Sequence, residues 1–416
     1  MASPTSGPER PSLSSRVAST MIMGMTGVIS RSVLHGLNSV EVTGLQRFQD
    51  VLDSRQDVDK RQRGLLTVSN HVSVVDDPIV WGLLPLSYAF NPSNLRWTLG
   101  AHDICFANGL FSSFFRSGQV LPTHRLKHST HGGLFQPAIT QAIRLLSSQP
   151  YSDASSSKRA QHDTDNIPDP FSIGSLTYST NGTDSHPSPS IYQSNRHSWV
   201  HIFPEGLVHQ HPDLDLRYFK WGLARLILES EPAPDVLPMF IDGTQRIMPE
   251  DRGFPRFLPR LGKKVRVAFG EVLDYEATFG DLRRAWEDLV RQTREKRILE
   301  QQPKPQLKGL WAYLNPFGSA GSIPSSGKAE IVEVEKKPHM LGEITDPELM
   351  YSKQANAIRI EVARRMREEI LKVRKSLGGY PESDPKLGKA ETWNADDEFG
   401  IKKYRSRVDG SHISQD

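Results

Sequence analysis

The chain has 416 residues, 37% of them hydrophobic and 24% charged, which is room for one large domain or two ordinary ones of somewhat polar globular type. Fifty-one Lys and Arg against 48 Asp and Glu leave a net charge of +3, too balanced for a nucleic-acid binder acting through bulk charge. The single cysteine, Cys105, excludes an internal disulfide framework and a cysteine-based zinc site, and no apolar run reaches the ~20 residues of a spanning helix, which excludes a polytopic membrane protein.

Residues 1–15 are rich in Ser and Pro and read as a disordered start. Val17 to Ser30 is uncharged and bracketed by Arg16 and Arg31. As a helix it would span about 21 Å, short for a hydrocarbon core of roughly 30 Å. An interfacial anchor, a helix packed on the domain and a cleaved targeting segment all remain open for it. Leu65 to Val68 reads as a strand ending at Ser69-Asn70. Pro78 to Leu84 begins a helix with Asp77 as N-cap and Pro78 at the first helical position. Gln119 to Leu121 reads as a short strand and Pro137 to Leu146 as a helix.

Residues 151–197 then hold 15 Ser and Thr among 47 and lack the periodicity to pack, so they read as a disordered insertion. The Asn181-Gly182-Thr183 sequon within them reads as a chance match. Strands are expected at Trp199 to Phe203, Val236 to Ile241 and Val265 to Phe269. Helices are expected at Phe219 to Glu229 and Leu282 to Leu299. Residues 302–345 are linker-like. Ile358 to Leu377 carries apolar residues at helical spacing and seven Lys or Arg against three Glu. Such a helix can lie on an anionic membrane or dock on the core with a solvated basic face.

Strands alternating with helices imply an α/β fold: one domain over 45–290 with a mainly parallel or mixed sheet flanked by helices. Around it lie a start and apolar segment at 1–44, a linker at 300–350, a basic amphipathic helix at 351–380 and a tail at 381–416.

Three local motifs could carry chemistry. In Asn70-His71-Val72-Ser73-Val74-Val75-Asp76-Asp77-Pro78 a strand ends and a helix begins, where α/β domains place reactive groups. His71 can act as general base, and Asp76 can orient the imidazole. Residues five apart do not share a helix face, so the pair meets only if His71 precedes the helix and Asp76 stands at its entrance. Phe203-Pro204-Glu205-Gly206 sets a carboxylate on a turn after a buried strand, with an ordinary solvated turn as the bland alternative. Phe114 to Arg125 places cations around a short strand, and an Arg there suits a phosphate. His124, His128 and His131 share a helical spacing, but no carboxylate or Cys accompanies them and Gly132-Gly133 breaks the helix, so no metal site is expected. Ser73 lacks the strand–turn–helix elbow of a hydrolase nucleophile.

In order and spacing, these motifs resemble the glycerophospholipid acyltransferase family. The family's His-four-residues-Asp block falls on His71 and Asp76, its Arg block on Arg125, its Phe-Pro-Glu-Gly on Glu205 and Gly206, and its Pro-containing strand on Leu237-Pro238. Asp76-Asp77-Pro78 with Trp81, Leu95-Arg96-Trp97-Thr98, Asp103-Ile104-Cys105-Phe106, Trp199 to Gly206 and Phe219-Lys220-Trp221-Gly222 point to the family's transacylase branch. The resemblance covers about residues 15–149 and 197–280, leaving the 151–197 insertion and the region beyond about 300 unmatched.

The resemblance implies transfer of an acyl chain from a phospholipid to a lysophospholipid such as monolysocardiolipin, without acyl-CoA, metal or other cofactor. It implies a protein bound at the interface of the inner and outer mitochondrial membranes, facing the intermembrane space, with no nucleic-acid partner. It leaves the oligomeric state open. His71 would be the base and Asp76 its orienter. Arg125 would hold a lipid phosphate, Glu205 and Gly206 the acceptor's glycerol phosphate, and Asn70 and Ser73 would complete the substrate contacts. An acyl-CoA-dependent enzyme of the same superfamily is the main alternative. A phospholipid hydrolase and a catalytically silent lipid-binding protein are the others.

Overall fold

A computed structural model describes residues 12–126, 128–148, 177–255, 258–301 and 341–394. The expectations for residues 1–11, 151–176, most of the linker and the tail beyond 394 lie outside the described residues.

The strands are β1 (Ser39–Thr43), β2 (Leu65–Ser69), β3 (Arg96–Ala101), β4 (Val120–Thr123), β5 (Thr177–Tyr178), β6 (His186–Pro187), β7 (Trp199–Ile202), β8 (Asp235–Asp242) and β9 (Lys264–Phe269). Seven of them form one sheet in the order β1-β9-β8-β2-β7-β3-β4, and β5 and β6 form a separate hairpin. Every sheet pairing is parallel except β8 with β9, so the sheet is mixed. β2 and β7 are buried along their whole length, as expected of central strands covered on both faces.

The helices used below are α1 (Leu13–Arg31), α2 (Leu45–Ser54), α3 (Asp76–Leu83), α4 (Leu86–Ala89), α5 (His102–Cys105), α6 (Gly109–Ser117), α7 (Pro137–Leu146), α8 (Gly222–Glu229), α9 (Thr244–Ile247), α10 (Tyr275–Gln301), α11 (Pro347–Tyr351) and α12 (Lys353–Ser376). The core collects β2, β7 and β8 with α7, α8 and α12. Leu65, Leu66, Val200, Leu223, Leu226, Phe240, Met366 and Ile370 are all fully enclosed there.

Several boundaries differ from the sequence reading. α3 starts at Asp76 behind Val75, which makes no side-chain cap. Asp77 is therefore inside the first turn, and Asp76 reaches back from the first helical position to accept from the Val72 and Ser73 amides of the preceding loop. α8 begins at Gly222, three residues after the expected start. α10 begins at Tyr275, seven before it.

The apolar N-terminal segment is longer than its uncharged run. α1 continues through a π-helical turn, and Leu13–Gly36 is 24 residues long, about 36 Å at helical rise. Length alone therefore no longer argues against crossing a bilayer. Its packing places one side on the domain: Gly24 lies against the Phe90 ring, Gly27 against Ala89, and the Ser30–Arg31 backbone against Gly82. Any Cβ at Gly82 would fall within 2.6 Å of that backbone, so α1 and α3 meet at a distance only glycine permits.

The insertion read as unpacked is built from residue 177 onward. Asp184 accepts from Ser179 Oγ and from the Thr180 and Asn181 amides, and the Asn181 side chain accepts from the Thr183 and Asp184 amides. Ser188 and Ser190 donate to Gln141 on α7. Polar side chains that bond the local backbone hold this segment, which hydrophobic periodicity does not register.

Candidate active site

Register places the site. β2 and β7 are parallel neighbours with Val68 opposite Ile202, so His71 and Glu205, each three residues further on, emerge side by side at the C-terminal edge of the sheet. α/β folds bind ligands in that crevice. The two loops are tied together there. The His71 amide donates to Glu205 Oε1 at 2.9 Å, and the His209 amide donates to the His71 carbonyl at 2.7 Å.

His71 lies on the turn before α3, and its Nδ1 is 2.9 Å from Asp76 Oδ2. The same oxygen accepts from the Val72 and Ser73 amides at 2.6 and 2.7 Å, and Oδ1 accepts from Thr244 Oγ1 on α9 at 2.5 Å. Four donors converge on a carboxylate with no exposed surface, so its rotamer is fixed. Since Asp76 accepts, the imidazole proton sits on Nδ1 and the lone pair on Nε2. The ring stacks on Phe203, centroids 4.3 Å apart, and borders a cavity of about 660 Å³. That geometry suits proton abstraction by Nε2 from a hydroxyl bound in the cavity.

The cavity wall is mostly apolar, with Met23 of α1, Trp81, Leu99, Phe115 and Leu223 among its residues. Around its mouth stand exposed Val74, Ile104, Phe114 and Leu126. Cys105 also lines it. Burial pushes this thiol up to about 11, so it stays protonated and is a poor nucleophile.

The other expected site residues divide. Gly206 borders the cavity with φ +69°, where a Cβ would sit 2.9 Å from the Lys220 Cδ and Cε. Arg125 also borders it, with its guanidinium held two-pronged by Asp103: Nη2 to Oδ2 at 2.5 Å and Nε to Oδ1 at 3.1 Å. A phosphate there would share Arg125 with that carboxylate.

Glu205 does not face the cavity. It is 1% exposed, and besides the His71 amide it accepts from the Arg217 amide at 3.3 Å. Burial, opposed by these two amides, pushes its carboxyl up to about 7. Its turn aims the side chain inward, where it fastens the loops, so the structure gives it a bracing position and not a substrate contact. Asn70 is likewise behind the site. Its carboxamide donates to the Ile241 carbonyl and accepts from the Ile241 amide, both at 2.8 Å. Ser73 is fully buried, its hydroxyl without a hydrogen-bond partner; its amide serves Asp76.

Sequence reasoning did not single out Lys220 as a site residue. It borders the cavity, and its amide donates to the Pro204 carbonyl at 2.8 Å, which brings a second cation beside Gly206. The Phe219-Lys220-Trp221-Gly222 stretch was the available signal. Thr244, 168 residues from Asp76 in the chain, had none.

A family model described as Acyltransferase matches residues 39–242. Tafazzin of Saccharomyces cerevisiae is 30% identical over 384 residues, covering 89% of this chain and 81% of that protein. The chain belongs to the tafazzin family. It is therefore an acyltransferase. Tafazzin of Drosophila melanogaster is 31% identical over 64% of the chain and 54% of that protein. N-acylphosphatidylethanolamine synthase of Arabidopsis thaliana is 31% identical over 51% of the chain and 56% of that protein. The tafazzin-family match to yeast extends well beyond the acyltransferase region, so α12 falls within a chain of similar length and not on an unrelated appendage.

Proposed function

We propose that this acyltransferase is a CoA-independent phospholipid–lysophospholipid transacylase that remodels cardiolipin by acylating monolysocardiolipin. The observation that carries the reading is the His71–Asp76 pair, fixed on the Nδ1 side with Nε2 left to the apolar cavity. Nε2 takes the proton from the free hydroxyl of the lysolipid as its oxygen attacks the donor's ester carbonyl. The tetrahedral intermediate collapses, the acyl C–O bond to the donor breaks, and the imidazolium returns the proton to the departing lysolipid oxygen. Asp76 stabilises the imidazolium between those steps. Arg125 and Lys220 are the cavity's candidates for the lipid phosphate.

A lipid with several acyl chains does not leave the bilayer readily, so the site must meet the membrane. α1 carries Leu13, Val17, Met21, Met25 and Ile29 at four-residue spacing, each about half exposed or more, and Ile22, Met23 and Thr26 of the same helix border the cavity. With Leu110, Phe111 and Phe114 of α6, this apolar rim supports docking at a membrane surface, here assigned to mitochondrial membranes facing the intermembrane space.

The test is acyl transfer from labelled phosphatidylcholine to monolysocardiolipin in bilayers with CoA rigorously absent. Label should appear in cardiolipin with the unmodified protein, and His71→Ala should lower the rate at least ~10²-fold. Transfer that requires acyl-CoA would replace this reading with the CoA-dependent one. Label in an N-acylated ethanolamine lipid only would replace the acceptor.

A further inference from the structure

The β5–β6 turn does more than fold back on itself. It carries Asp184 against the outer edge of the sheet, beside two histidines that the sequence holds far apart. His102 opens α5, directly after β3, and His124 follows β4. Their rings stack nearly parallel, centroids 4.2 Å apart with 21° between planes. One ligand atom each from His102, His124 and Asp184 lies within 4.8 Å of the others.

Within Asp184 the two oxygens divide the work. Oδ1 is committed to the turn, through Ser179 and the Thr180 and Asn181 amides. Oδ2 faces the histidines, 3.6 Å from His102 Nε2. It accepts from His186 Nε2 at 2.8 Å and from the Thr180 hydroxyl, and Thr180 Oγ1 is itself 2.7 Å from His124 Nε2. His186 is 4% exposed, and its Nδ1 has no hydrogen-bond partner. The ring therefore serves one visible end, the carboxylate. Two imidazoles and a carboxylate oxygen, with a third imidazole holding that carboxylate, are the donor types and outer shell of a borderline transition-metal site; the stacked rings carry their lone pairs side by side, so one of them turns to share an ion with the other.

We propose that His102, His124 and Asp184 bind a divalent first-row transition metal of the zinc type, which pins the β5–β6 turn to the wall of the acyl-transfer cavity. His186 is the positioning residue that orients Asp184. The ion is structural: His124, its neighbours Thr123 and Arg125, and Ala101 beside His102 all border the cavity, so the ion would stiffen that wall from behind. Thr180 would yield the bridge it now makes between His124 and Asp184. The carboxylate that the histidine pattern lacked thus comes from 60 residues further along the chain. The inference does not rest on the transacylase reading.

The test uses untagged full-length protein stripped with a chelator and titrated with Zn²⁺ against a chromogenic competitor, then with Co²⁺ by visible absorption. One equivalent should bind, with Co²⁺ bands of a low-coordinate nitrogen–oxygen site. His102→Ala and Asp184→Asn should each weaken Zn²⁺ at least ~10-fold, whereas His128→Ala, on the exposed surface, should not. Zn²⁺ should slow proteolysis after residue 177 in the unmodified protein and not in Asp184→Asn. If His102→Ala fails to fold, Asp184→Asn and the Co²⁺ spectrum decide. Less than stoichiometric binding by the unmodified protein, or equal affinity in all variants, overturns the site.

Discussion

Two helices of this chain invite the same guess from sequence and receive opposite answers from packing. α1 and α12 are both amphipathic, and either could lie on a membrane. α12 turns its apolar stripe inward: Ile358, Val362, Met366 and Ile370 are buried against the sheet. Its basic residues are engaged within the protein. Arg359 donates to the Leu349 and Met350 carbonyls, Arg367 to the Leu216 and Arg217 carbonyls, and Arg374 to those of Asp213 and Pro381. Arg364 and Arg365 pair with Glu361, Glu368 and Asp281, Lys372 with Glu369, and Lys375 with Glu382. α1 does the reverse. It packs Gly24, Gly27 and Ser30 on the domain with Met23, and leaves Leu13, Val17, Met21, Met25 and Ile29 outside. The spacing of apolar residues fixes the two faces of a helix and not which of them is wet. Steric fit decides that here, with glycines on the inner face of α1 and large aliphatics on the inner face of α12.

The largest expected effect tests the inward side. Ile370→Asp would bury an unpaired carboxylate in the core, at a cost of several kcal/mol against a total stability of about 5–15 kcal/mol. The chain should fail to fold, as read by far-ultraviolet circular dichroism. The milder Ile370→Ala should cost ~2–5 kcal/mol in urea unfolding. A full-stability Ile370→Asp protein would mean that α12 can leave the core.

The second effect is a pH dependence on the same side. Arg367 holds the 216–217 backbone, and that segment donates to Glu205. The Glu205 carboxyl is raised by burial from 4.5 to about 7. A raised acid binds its proton more tightly in the folded state. Its contribution is therefore present below about pH 4.5 and lost as pH rises through about 7. The shift corresponds to ~3 kcal/mol. Relative to the unmodified protein, Glu205→Gln should gain up to that amount between pH 4.5 and 8. Histidines buried in their neutral form, such as His201, run the opposite way in both proteins and cancel in the difference. Urea midpoints of the pair at several pH values check this; a constant difference would sink it.

The third effect belongs to α1. Val17→Asp, Met21→Asp and Met25→Asp together should change stability by under ~1 kcal/mol, since all three side chains are exposed. Vesicle partitioning should fall roughly 100-fold, at ~1 kcal/mol of lost apolar burial for each half-exposed side chain. Sedimentation with liposomes reads it. Unchanged binding would remove α1 from the docking face.

How far the sequence could be read follows the same physics. β2, β7 and β8 were visible because a strand buried on both faces is a short, largely apolar run between breakers, and β9 because buried Val265, Val267 and Phe269 recur at every second position. β1 was not, since it is an edge strand of alternating exposure with a glutamate at its centre. β3 was hidden by Arg96, a cation enclosed in the core over the Trp81 ring. The His71–Asp76 pair was legible because both members lie within one strand-to-helix turn. The inward aim of Glu205 was not, because it depends on which backbone amides surround the turn. The β5–β6 hairpin was missed for want of hydrophobic periodicity.

The smallest effect sharpens the comparison most, because the two placements of α12 differ there by a definite amount. Lys372 and Lys375 are exposed cations near its C-terminal end, with side chains 70% and 77% accessible. Their surface pairs are worth at most ~1 kcal/mol each, so Lys372→Gln with Lys375→Gln should leave folding nearly unchanged wherever α12 sits. If the basic face met an anionic bilayer, each lysine would add ~1 kcal/mol to binding, and losing both would weaken association about 30-fold. With α12 docked on the core and α1 at the membrane, the double variant should bind cardiolipin-containing vesicles within about twofold of the unmodified protein, at low and high salt alike. A 30-fold, salt-sensitive loss would put both helices at the membrane. The burial of the α12 apolar stripe would then leave charge alone to hold that helix there, while α1 inserts.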